Sequence, residues 1–322
     1  RWWRCTKPVP SPRFLVLVPR AVRVTRMGKA SRRQRGTERG TARSRPGPVP
    51  FERRPFEGLA GETDWVAMRE ILPAATATVS LRPEHVPDGA PTEVTVATVL
   101  PMAWPGLHRA DGTVFVGTQS GNASGDASRD LAGQVLAALA AEPGNPVVTT
   151  APATADSPRL QDLLTDDTTF EVTVHEGFDF WVEGQELEGD AAASLERANE
   201  TVVPTTKMAA LPSAYWVRIG DRAHIRLVLP DDEDAATDAL ARMHASGDDA
   251  LGGDTRLLGA FRACGLLVPV WDLDPELGAD DYEDELTAWS TRYAAALAST
   301  ESLSADERRA RSGLLSRQVT LR

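Results

Sequence analysis

The charge along this chain breaks near Arg54, and that break limits what each side of it can become. Residues 1–54 carry 16 Lys and Arg against 2 acidic residues, a balance of +14, whereas the remainder carries 19 against 44, a balance of −25. The first part is rich in Arg, Pro and Gly and has no apolar periodicity. It buries too little to offset its own ordering entropy, so 1–54 reads as a disordered basic tail. The second part is acidic, and it is long enough and apolar enough to build a core. Only three of the basic residues are Lys (Lys7, Lys29, Lys207). With abundant Ala, Asp and Val, that bias is the mark of a GC-rich genome, so arginine content alone says little about nucleic acid.

The chain opens with Arg1 and its first Met is Met27, followed by Gly28 and Lys29. Met27 is the expected start of translation, with 1–26 read through from upstream; the alternative is a fragment of a longer chain. The apolar runs Phe14–Val18 and Cys264–Trp271 fall far short of the roughly 20 residues that cross a bilayer. The opening also lacks the small-residue cleavage pattern of a secretory signal. A cytoplasmic protein with no membrane contact is expected. Cys5 and Cys264 are too few for a disulfide framework or a cysteine zinc site, so no metal and no cofactor are expected.

Along the acidic part, Thr63 is placed to cap a helix over 64–72 that Pro73 ends. Strands are expected at 75–81 and 92–100, then a hairpin turning at Asp111-Gly112. A Gly/Ser loop, 117–126, leads to a helix from about Ser128. Residues 142–158, rich in Pro and Gly, read as a linker. Beyond it come a short helix ending near Leu164, strands at 170–174 and 178–182, and a helix over 190–200. A hairpin follows at 214–229, then helices at 232–245 and 255–264, the second closed by Gly265. A buried strand at 266–273 and two C-terminal helices complete the chain, the last opened by a capping box from Ser304 to Glu307. The expected fold is α+β: a first lobe over 55–150 and a second over 159–322, each an antiparallel sheet with helices, preceded by the basic tail.

Few residues carry chemistry. The loop 117–126 lacks a phosphate-binding GxxxxGK[ST] pattern, and Asp126 and Asp130 would repel an anion, so it reads as an ordinary loop. His175, Glu176 and Asp179 cluster at an expected strand–turn–strand and read first as a solvated turn. Arg222, His224 and Arg226 alternate, which puts them on one strand face, opposite Ala223, Ile225 and Leu227. That face suits an anion or an acidic partner, but a polar outer face of a half-buried sheet explains the same spacing. Asp231–Asp234 suits the dipole of the helix that follows. If the chain is an enzyme, an inter-lobe cleft near His175, Asp179, Arg218 and His224 is where a site is expected. The strongest functional signal is the tail. There Lys29, Arg32, Arg33, Arg35, Arg39, Arg43 and Arg45 are placed to neutralise phosphates of RNA, those of the ribosome included, and the competing reading is a solubilising tail that folds back onto the acidic body.

Several stretches carry a resemblance. They are Met27–Arg33; Arg54–Gly58 with Gly61–Val66; Val99–Pro105; Phe170–His175 with Gly177–Trp181; Thr255–Phe261; and Gly313–Arg322. Together they resemble an actinobacterial family of uncharacterised proteins, a domain of unknown function, over 27–322. The resemblance supports Met27 as the start and implies no activity. The expectation is a non-catalytic interaction protein that contacts RNA or the ribosome through its tail and an unidentified protein through its body.

Overall fold

The computed structural model describes residues 47–121, 123–182 and 188–316. Of the expected tail, residues 1–46 lie outside the described residues, together with the seven basic side chains assigned to RNA. Residues 46–322 form one compact unit.

The fold is α+β with two sheets. The first is built from β1 (Ala75–Ser80), β2 (Glu93–Ala97), β3 (Gly106–His108), β4 (Val114–Gly117), β5 (Asn145–Val147) and β6 (Thr173–Val174), in the order β5-β3-β4-β2-β1-β6. The β2–β4 pair is parallel and the other pairs are antiparallel, so this sheet is mixed rather than antiparallel throughout. The second sheet is antiparallel: β7 (Thr205–Lys207), β8 (Ala214–Ile219), β9 (Arg222–Leu227), β10 (Arg256–Ala263) and β11 (Leu266–Leu273), in the order β10-β11-β9-β8-β7.

Seven helices are described: α1 (Glu62–Glu70), α2 (Ala127–Leu139), α3 (Leu160–Leu163), α4 (Gly189–Asn199), α5 (Glu233–Ser246), α6 (Glu283–Leu297) and α7 (Ala305–Ser316). None is long and apolar enough to cross a membrane. The capping box forms as expected: Ser304 N donates to Glu307 Oε2 at 2.6 Å and Glu307 N to Ser304 Oγ at 3.3 Å. At α1 the expected cap does not form. Gly61 takes the N-cap position at φ 68, and Thr63 sits one residue inside the helix.

Both faces of the second sheet are buried. Trp216, Ala223, Ile225, Leu227, Leu267 and Trp271 belong to the core shared with Leu240 of α5, Trp289 of α6 and Leu314 of α7. Tyr215, Val217 and Val268 belong to the core shared with Trp65 and Met68 of α1 and with Val79, Val94 and Val116 of the first sheet. A third cluster, with Leu100, Phe115, Phe178 and Phe180, lies apart from the other two.

Three expected elements differ. The linker at 142–158 contains β5, which pairs with β3 through Gly106↔Val147 and Leu107↔Pro146. Asn145-Pro146 can do this because β5 is an edge strand, where a missing N–H costs no ladder bond on the open side. Residues 178–182 are a 3₁₀ turn, Asp179–Trp181, instead of a strand. Residues 256–263 are strand β10 instead of a helix, and Cys264-Gly265 is the tight turn to β11, with φ 45 and φ 81.

Candidate functional site

Of the four residues expected to share a cleft, Arg218 and His224 lie on opposite faces of one sheet, and His175 and Asp179 lie at one turn. His175 follows β6, where its Nε2 is 2.8 Å from the Thr76 hydroxyl and its ring centroid 4.9 Å from that of Phe180. Asp179 opens the 3₁₀ turn and accepts a hydrogen bond from Asn199 Nδ2 at 3.2 Å. Arg218 donates to the Pro275 carbonyl at 2.8 Å and covers the Trp216 ring at 5.1 Å. His224 lies in β9. Arg218 pairs with Ala223, and Val217 with His224. The pleat therefore sends Arg218 and His224 to opposite faces of one sheet.

The face that carries His224 is not the polar outer face expected from its spacing. It is shared with Tyr215 and Val217 and packs toward the first sheet, leaving His224 only 4% exposed. Burial holds the His224 imidazole below its usual pKa, against the opposing pull of Asp272.

One cleft among the described residues has a volume of about 490 Å³. It forms where residues 51–55, the end of α1, the loop before α2, the start of α5 and the β10–β11 turn come together. Its lining includes the small or apolar residues Pro55, Ala123, Gly125, Ala127 and Gly265 together with charged side chains. Glu233, in the first turn of α5, is the central carboxylate. Its side chain is 6% exposed and is gripped by Arg53 and by Arg262. Burial alone would raise its pKa. The two guanidiniums outweigh burial and hold the carboxyl below the usual range.

Arg54 forks onto Glu62, with Nε to Oε1 at 2.5 Å and Nη2 to Oε2 at 2.8 Å, and also reaches the Pro230 carbonyl at 2.9 Å. Glu52 N donates to the Gly125 carbonyl at 2.8 Å. Residues 51–55 are thus a strap anchored to both halves of the body, and Arg53 and Arg54 belong to that strap. Sequence reasoning counted both arginines as tail, because nothing local tells an arginine that meets a buried carboxylate 180 positions away from one that does not.

On the opposite wall, Arg69 donates to the Thr118 carbonyl at 2.8 Å and lies 3.4 Å from Glu70. Cys264 Sγ approaches Glu70 Oε1 at 3.8 Å. Burial, then the Glu70 charge, push the Cys264 thiol up to about 12, so it stays protonated.

In the Gly/Ser loop and at the start of α2, carboxylates take backbone donors. Asp126 caps α2 itself, accepting from Ser128 N at 3.0 Å and Arg129 N at 3.4 Å, and Asp130 accepts from Ser124 N at 2.9 Å. Asp232 caps α5 in the same way. Among the described residues no group of three or more His, Cys, Asp or Glu is placed to hold a metal ion. The ionic groups of the cleft are mostly committed to each other.

No curated protein and no solved structure matches the chain. A family model does, over residues 55–322, which takes in both sheets and every helix described above. On that extent of agreement the chain belongs to the family of unknown function DUF5926.

Proposed function

We propose that this protein is a non-catalytic interaction protein of the cytoplasm, whose Arg-rich N-terminal segment contacts RNA, in the first place that of the ribosome, while its acidic body engages a protein partner. The observation that carries the reading is charge segregation. Residues 1–46 hold 14 Lys and Arg against 1 acidic residue, and residues 47–322 hold 21 against 45. A polyanion is attracted by the first set, which displaces its condensed counterions, and is repelled by the second. Lys29, Arg32, Arg33, Arg35, Arg39, Arg43 and Arg45 are the contacts. The committed ion pairs of the cleft and the protonated Cys264 thiol favour recognition over catalysis.

Co-sedimentation with ribosomes and with bulk RNA, at low and high salt, tests the reading. The full chain is compared with residues 47–322, a cut that leaves Arg53 and Arg54 on their carboxylates. Binding that needs 1–46 and weakens with salt is expected. Equal binding by both chains, or none by either, overturns it.

A further inference from the structure

The central strand of the second sheet carries two buried nitrogen atoms, His224 Nδ1 and Arg226 Nε, that have no hydrogen-bond partner among the described residues. His224 is 4% exposed, and its Nδ1 lies 3.6 Å from Asp272 Oδ1, past hydrogen-bond range. Two residues on and on the same face, Arg226 has a buried Nε with no acceptor, and its guanidinium forms no ion pair among the described residues. A chain with 45 acidic residues over 47–322 has supplied this cation with none of them. Burial lowers the Arg226 pKa. Arg226 is half-buried, and a partly desolvated guanidinium without a counter-charge is costly.

Its surroundings set the charge of what is missing. Asp272 pairs with His224 across β11–β9 and with Arg256 across β10–β11. It already takes Arg222 at 2.8 Å and Arg256 at 3.6 Å. Arg222, Arg226 and Arg256 against Asp272 leave two positive charges.

We propose that the face of the second sheet around Arg226 and His224 binds a compact oxyanion with two negative charges, inorganic phosphate or the phosphate group of a small phosphomonoester. Arg226 supplies charge-assisted donors, and His224, neutral, donates or accepts at Nδ1 according to tautomer. Arg222 and Arg256 flank the site and offset the charge of Asp272, whose Oδ1 stands 3.6 Å from His224 Nδ1.

Equilibrium dialysis of the full chain with labelled inorganic phosphate, and separately with glycerol phosphate, tests this. Saturable binding is expected, weakened about tenfold or more in Arg226→Met and unchanged in Arg309→Gln, an exposed arginine elsewhere that controls for general charge. Tighter binding of glycerol phosphate assigns the phosphomonoester, and tighter binding of inorganic phosphate assigns the free ion. If Arg226→Met does not fold, His224→Leu takes its place, with a smaller loss expected. Absence of saturable binding to both probes, or binding by the variant equal to that of the natural chain, overturns the proposal.

Discussion

Tyr215 on β8 donates its hydroxyl to Asp64 Oδ1 on α1 at 2.9 Å, joining the second sheet to the helix that covers the first core. Ser213 donates to the same oxygen at 2.6 Å, and Lys207 Nζ stands 3.7 Å from Oδ2. Asp64 is 8% exposed and Tyr215 fully buried, so water cannot replace these bonds when one is lost. Tyr215→Phe removes one donor and leaves the ring packing unchanged. It is expected to lower the unfolding free energy by about 1–3 kcal/mol, read as a reduced urea midpoint at constant slope.

The clamp on Glu233 predicts a pH dependence. Its carboxyl titrates below the unfolded value in the native state, because Arg262 and Arg53 outweigh burial. Such a group contributes stability above its unfolded pKa, and that contribution is lost as pH falls through the lower, folded pKa. Glu233→Gln is therefore expected to cost about 1–3 kcal/mol near neutral pH, where the natural side chain is charged. The gap between the two chains is expected to narrow as pH falls below about 4, the ordinary carboxylate range. Urea midpoints of both proteins across that range read the effect. A gap that stays constant with pH contradicts it.

The Cys264 thiol is expected to be inert in the native protein. Its pKa is pushed up to about 12 by burial and by Glu70, against an ordinary value near 8.5. Near pH 8 the thiolate fraction is then lower by about a thousandfold. In a Cys5→Ser chain, which leaves one thiol, alkylation by iodoacetamide is expected to be at least about a hundredfold slower in buffer than in urea. Equal rates would show the thiol to be unprotected.

Local pattern made the hairpins at Asp111-Gly112 and Gly220-Asp221, the helices α2, α5 and α7, and the α+β class legible, because turn chemistry and periodicity agreed at each. The expected helix at 255–264 shows where local pattern misleads. Leu257, Leu258, Ala260, Phe261 and Ala263 have helical spacing, and Gly265 sits where a helix would end. The pairing register shifts between Leu257 and Gly259, and that irregularity breaks the two-residue alternation that marks a strand. The cleft was less legible still. Arg53 and Glu233 meet across 180 positions, and His224 and Arg226 alternate as an exposed strand would while their face also carries Tyr215 and Val217 of the core shared with the first sheet. Burial of both faces of one sheet is a tertiary property that no local spacing encodes.

The β10–β11 turn supplies the last prediction. Cys264 and Gly265 both have positive φ, which matches the twist of a two-residue hairpin, and such turns favour glycine. At Gly265 a second constraint applies. A Cβ there would stand 2.6 Å from the Arg53 carbonyl oxygen and 3.1 Å from Arg54 Cβ, so the turn and the strap pack with no room for a side chain. Gly265→Ala must either strain the turn or lift the strap from the cleft, and lifting it pulls Arg53 away from Glu233. A loss of about 1–3 kcal/mol is expected from backbone strain alone. Adding Glu233→Gln separates the two routes. If the strap has already lifted, the second substitution costs less in the Gly265→Ala chain than in the natural one. If only the turn is strained, the two costs add.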